Sequence, residues 1–157
     1  MKLYRYYLFI FFVQSIFGQN IALEKNTINA IKAEIVPNID GRVIDDPAWK
    51  NIIPATRFIQ QSPDEGKPAT ERTEVKIMFS DDNLYVAAIC YHNEPEKIII
   101  SDARRDSPLD DMDSFIFILD TFRDFQNGYA FGTNAAGIEY DAQITKGGEG
   151  GSISRRF

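Results

Sequence analysis

The feature that most constrains this chain is the period of its apolar residues. They recur at alternate positions over short runs bounded by turn residues, and no amphipathic segment of helical period exceeds two turns. Val75, Ile77 and Phe79 share one face of a run that begins at Thr73, with Lys76 on the other. Ser80-Asp81-Asp82-Asn83 then turns the chain into residues 84–91, apolar on both faces. Two β-rich runs joined by four turn residues predict a hairpin, whose second strand reads as central in its sheet. Residues 115–119 (Phe-Ile-Phe-Ile-Leu) form another two-sided apolar strand. Residues 129–133 follow Asn127-Gly128, and Ile138, Tyr140, Ala142 and Ile144 alternate with Glu139, Asp141 and Gln143. Asn134-Ala135-Ala136-Gly137 turns between these last two strands. A parallel α/β sheet lacks its crossover helices here, so the expected fold is all-β: an antiparallel β-sandwich of immunoglobulin or jelly-roll type.

Upstream, Ile31, Ala33 and Ile35 alternate with Lys32 and Glu34, predicting a short half-buried strand. Residues 37–41 end in Asp40-Gly41 and predict a turn. Asp46-Pro47 reads as an N-cap with proline at the first helical position, starting one helical turn through Trp49 and Ile52. Pro63, Gly66 and Pro68 make residues 62–70 a surface loop. Residues 1–18 have the order of a secretory signal: Lys2 and Arg5, an apolar stretch from Leu8, then Ser15 and Gly18 at the exit. Export is therefore expected, with the protein periplasmic, outer-membrane-associated or secreted. The remaining chain divides into a lead-in (19–34), a sandwich (35–145) and a flexible Gly-rich tail (146–157).

Charge and reactive residues exclude several classes. The 23 acids outnumber the 17 bases for a net charge of −6, and removing a leader takes Lys2 and Arg5 away as well. No basic stripe exists to release counterions, so nucleic acid is not an expected partner. A single cysteine excludes a disulfide framework, and Cys90 reads as a small buried apolar residue. The single histidine, His92, excludes any site needing two imidazoles and reads as a surface residue.

Asp40-Gly41, followed by Asp45-Asp46-Pro47-Ala48-Trp49, resembles the opening signature of family 9 carbohydrate-binding modules. Asp113-Ser114-Phe115, Leu119-Asp120-Thr121-Phe122, Asp124, Asn127-Gly128-Tyr129, Phe131 and Asn134 are similar to that domain's middle. Gly137 and Asp141-Ala142-Gln143-Ile144 continue the likeness, which spans residues 35–144. It is nearest the version at the N-terminus of large exported bacterial proteins. Met112, Gln126 and Ala135 depart from residues common in relatives. Past Asp141 the family pattern continues into Trp-containing strands, whereas here it gives way to Lys146-Gly147-Gly148-Glu149. The expected sandwich is thus incomplete at its C-terminal end, leaving unpaired edges. The resemblance implies a non-catalytic module binding polysaccharide or oligosaccharide and targeting an attached or partner glycan-degrading activity. The alternatives are a protein-interaction or structural module of an outer-membrane-associated protein, joined through a missing C-terminal region, or an accessory domain of a glycoside hydrolase.

Sugar binding by stacking requires exposed flat rings with hydrogen-bonding groups beside them. Trp49 is one candidate, although packing as a plug at the end of the sandwich is the simpler role. Phe122, Phe125 and Tyr129 flank a loop and form a second candidate platform, with core packing as the competing reading. Arg104 and Arg105 are candidates for grasping hydroxyls or carboxylates, against simple ion pairing with nearby aspartates. Asp110, Asp111 and Asp113, with Asp106 nearby, form an acidic cluster of the kind that gathers around Ca²⁺, and the resemblance strengthens that expectation. Carboxylates are plentiful but lie in turns, so a pair held across a dry pocket for glycoside hydrolysis is not expected.

Overall fold

The computed structural model describes residues 27–147 and 153–155, and the expected leader lies outside them. The chain is all-β. β1 (Ile31–Lys32), β2 (Thr73–Phe79) and β3 (Leu84–Cys90) form one sheet in that order. β4 (Ser114–Leu119), β5 (Gly128–Asn134), β6 (Tyr140–Ile144) and β7 (Ile153–Arg155) form a second, also in chain order. All pairings are antiparallel except β1–β2, which is parallel, matching Ile31 with Met78 and Lys32 with Phe79.

The β2–β3 hairpin forms as its alternation predicts. Thr73 pairs with Cys90 and Phe79 with Leu84, and the Ser80 amide donates to the Asn83 carbonyl at 2.8 Å to close the loop. The expectation that β3 is central is overturned. β2 occupies the middle, and the outer edge of β3 has no neighbour among the described residues. β3 nevertheless reads apolar on both sides because neither face is turned to open solvent, one meeting the core and the other a cleft. Tyr85 and Ala87 join the core on one face, and Val86 and Ala88 line a cleft facing the second sheet on the other. Cys90, expected buried, is exposed at the strand's end. Partial desolvation there raises its thiol pKa, with the Asp113 charge adding to the rise and a hydrogen bond with Thr73 opposing it.

The core of the first sheet is built on Trp49. Residues Pro47–Trp49 form a short 3₁₀ turn, which ends before the Ile52 that the expected helical turn included. The Asp46 carboxylate caps it by accepting from the Ala48 amide at 2.8 Å, and its other oxygen accepts from the Asn38 amide at 2.9 Å. This one side chain therefore fixes both the turn at residues 38–41 and the angle at which Trp49 enters. Trp49 packs with Met78 and Ala87, bordered by Ala33, Val43, Ala48, Ile52 and Tyr85. The Lys76 ammonium donates to the Trp49 carbonyl at 2.9 Å. The stretch expected as a lead-in is thus part of the fold, contributing β1 to the sheet and Ala33 to the core.

In the second sheet Ala130 and Ala142 pair across β5 and β6, both buried alongside Leu109 and Ile138. Gly132 is required: a Cβ there would sit 2.8 Å from Leu109 Cδ1 and 3.0 Å from the Phe115 carbonyl oxygen. Asn134 is buried and fully used. Its amide nitrogen donates to the Asp102 carbonyl at 2.8 Å, and its oxygen accepts from the Ala136 amide at 2.9 Å. Gly137, at φ +75°, completes the predicted turn by donating to the Asn134 carbonyl. Within the stretch expected as a flexible Gly-rich tail (146–157), β7 adds a strand, its backbone pairing with β6 from Ile144↔Ile153 to Ala142↔Arg155. The free ladder groups on the edge of β6 supply the partners that the tail's composition does not advertise.

Candidate functional site

The loop between β4 and β5 is short, polar in its backbone contacts and apolar at its tip. Asp120 follows β4, and its two carboxylate oxygens accept from the amides of Asp124 (3.2 Å) and Phe125 (3.0 Å). Asp124 Oδ1 accepts from the amides of Gln126 and Asn127, both at 2.8 Å, and its Oδ2 accepts from Asn127 Nδ2 at 2.7 Å. The Asn127 side-chain bond, followed by the two amide bonds, holds the Asp124 carboxyl below its ordinary pKa. The Gly147 amide donates to the Gln126 carbonyl at 2.7 Å, tying the end of β6 to the same loop. Within this frame Arg123 and Phe125 both sit at φ +56°, a basin that L residues enter at a cost of about 1–2 kcal/mol. Phe122 is 67% exposed and Phe125 86% exposed. Beside Phe125 lies a hollow of about 250 Å³, lined by Ile118, Phe125 and Ile144 with Asp120 and Asn127 at its polar side. Ile118 is itself 61% exposed, so the loop tip and the adjoining strand face make one apolar surface.

A second concavity lies between the sheets. It measures about 780 Å³ and is walled by Val86 and Ala88 of β3 opposite Phe115, Phe117 and Phe131. Those three rings form a row, Phe115 to Phe117 at 6.3 Å and Phe117 to Phe131 at 5.5 Å between centroids. Arg105 stands at the rim. Its guanidinium pairs with Glu139, with Asp141 at 2.8 Å and with Asp106 at 3.3 Å, and these charges, Glu139 first, make it more basic. The loop carrying Arg105 is fixed to the start of β6, since the Asp106 amide donates to the Glu139 carbonyl at 2.9 Å.

The expected site residues separate into distinct places. Trp49 is 3% exposed, so its role as a stacking platform is withdrawn. Cleft-facing though it is, its ring belongs to the core formed with Met78 and Ala87. Phe122 and Phe125 share the exposed loop, whereas Tyr129 is half-buried in β5, paired across the sheet with Leu119 and Gln143. Arg105 reaches the cleft already engaged by three carboxylates. Arg104 is held by Asp102, at 2.6 Å from its Nη2, and this contact keeps the Asp102 carboxyl well below the usual range. The calcium expectation at Asp110, Asp111 and Asp113 is also withdrawn. Among the described residues no three His, Cys, Asp or Glu side chains gather to hold a metal ion. Asp113 is turned away to accept from the Ile99 amide at 2.7 Å. His92 uses Nδ1 to accept from the Glu94 amide at 3.1 Å.

Two features escaped the sequence reading. The phenylalanine row was signalled by Phe115-x-Phe117, which places both rings on one face of a strand. The carboxylate clamp was signalled by Asp120 and Asp124 ahead of Asn127-Gly128, a concentration of side chains that bond backbone amides in turns. Compared with known proteins, the chain matches no family model, no curated protein and no solved structure.

Proposed function

We propose that this chain is an exported, non-catalytic carbohydrate-binding module of β-sandwich form, similar to family 9 modules, which holds a glycan-degrading activity on polysaccharide. The sandwich reading rests on two sheets that turn apolar side chains toward one cleft. The binding reading rests chiefly on Phe125, which stands almost wholly in water on a backbone clamped into a costly conformation. Phe125, bordering an apolar hollow, and Phe122, exposed on the same loop, supply flat faces on which the C–H face of a pyranose ring stacks. The nearby amides and carboxylates are consumed inside the loop, so affinity comes mainly from stacking and is modest.

Retention of the folded chain on insoluble β-glucan, xylan and mannan tests this reading. Phe125→Ala is expected to weaken retention about tenfold, corresponding to about 1.4 kcal/mol. Its melting temperature stays that of the parent, because the ring is not part of the core. A folded protein retained by none of the three refutes the proposal. One observation favours a second reading, a protein-interaction module of an outer-membrane-associated protein. Ile116 and Ile118 are exposed on β4, and the outer edge of that strand has no neighbour among the described residues.

A further inference from the structure

We propose that Asp120 and Asp124 are positioning residues for glycan binding, holding Phe122 and Phe125 as a preformed platform without touching the ligand. This inference rests on the carbohydrate-binding reading and names what makes that site work. Every carboxylate oxygen of the pair is already committed: Asp120 gives one oxygen to each of two amides, and Asp124 gives one oxygen to two amides and the other to Asn127 Nδ2. These five bonds end on residues 124–127, and the residues in left-handed conformation, Arg123 and Phe125, lie inside the segment they close. Cost and clamp therefore fall on the same residue, and that residue carries the most exposed ring. Without the clamp, Phe125 would leave the left-handed basin and its ring would fold against Ile118 and Ile144, which line the hollow beside it. With the clamp, the ordering is complete before ligand arrives, so binding is not charged for it.

The two acids differ in a way that a general loss of structure would not reproduce. Asparagine at 124 keeps one oxygen able to accept both amides and loses only the bond from Asn127. Asparagine at 120 keeps one acceptor where two amides need two. Asp124→Asn should therefore restore the platform more fully than Asp120→Asn.

The test uses the full chain, with three measurements on the parent, Asp120→Ala, Asp124→Ala, Asp120→Asn and Asp124→Asn. Nuclear relaxation of the Phe122 and Phe125 amides reads loop order, thermal melting reads the fold, and retention on the same three polysaccharides reads binding. Both alanine variants are expected to loosen residues 122–127 and to weaken retention about tenfold, the effect of moving the ordering of about one residue from folding to binding. The melting temperature stays within about 2 °C, and Asp124→Asn lies closest to the parent. Alanine variants whose loop stays ordered, or whose loop loosens with undiminished retention, overturn the positioning role while leaving carbohydrate binding in place. An Asp124→Asn variant as weak as Asp124→Ala overturns it too. A parent with an ordered loop and no retention on any polysaccharide refutes the binding reading, and the positioning role falls with it.

Discussion

Gly128 is the residue on which the β4–β5 hairpin and its loop most directly depend, and replacing it with alanine yields a prediction with a magnitude. A Cβ at this position would lie 2.5 Å from the Leu119 carbonyl oxygen, 3.3 Å from the Leu119 carbonyl carbon and 3.5 Å from Asp120 Cα. An ordinary carbon–oxygen contact needs about 3.3 Å, so the two backbones must part by about 0.8 Å. No flexible side-chain end is available to absorb this, since all three atoms are main chain. Overpacking of this kind costs typically 1–3 kcal/mol, and about 2 kcal/mol is expected here. For a domain of this size that corresponds to about 8 °C in melting temperature. The natural control is Gly41→Ala, because Gly41 sits at φ +78° with nothing within 4 Å of the added atom. Its cost is conformational alone, about 1 kcal/mol. Urea unfolding of the three proteins, followed by circular dichroism with a common slope, separates the two effects. Gly128→Ala melting within 1 °C of the parent, or costing less than Gly41→Ala, would refute the argument from backbone overlap.

Two further outcomes are expected. Trp49 is the only tryptophan and is buried, so intrinsic emission should be blue-shifted, resist acrylamide quenching and stay unchanged when polysaccharide binds; a red-shifted, readily quenched signal would contradict its placement in the core. Asp124 has a lowered carboxyl pKa in the folded loop, so its contribution to loop order is complete above the ordinary carboxylate value and lost as pH falls through the lowered one. Retention should accordingly be flat between about pH 5 and 8 and fall below about pH 4 by no more than Asp124→Asn costs, because protonation likewise leaves one acceptor oxygen for the two amides; retention that strengthens on acidification would contradict the clamp.

Local chemistry was legible in the sequence and long-range placement was not. The β2–β3 hairpin, the Asp46 cap and the turn at Asn134 each depend on residues within a few positions of one another, and each forms as expected. The edge position of β3 was hidden because a strand with the core on one face and a cleft on the other carries the same apolar pattern as one paired on both edges. The acidic cluster misled for a related reason: closeness along the chain is not convergence in space, and Asp113 serves an amide 14 residues upstream. At the candidate site the sequence identified Phe122 and Phe125 as residues of interest but offered no exposure for either. Trp49 shows the reverse case, where a ring with the right chemistry is unavailable because the chain needs it inside.

The connection from β3 to β4 has no strand of its own, only a short 3₁₀ turn at Pro95–Lys97. It is fastened by polar hooks: Ile99 and Asp113 bond each other twice, Asn134 holds Asp102, and Arg105 and Asp106 hold the start of β6. Such hooks are directional and few, whereas interlocked hydrocarbon resists displacement everywhere at once. The spacing of the two sheets thus depends in part on this polar seam. Beside that seam the cleft stays open, walled by Val86 and Ala88 on one side and by the phenylalanine row on the other.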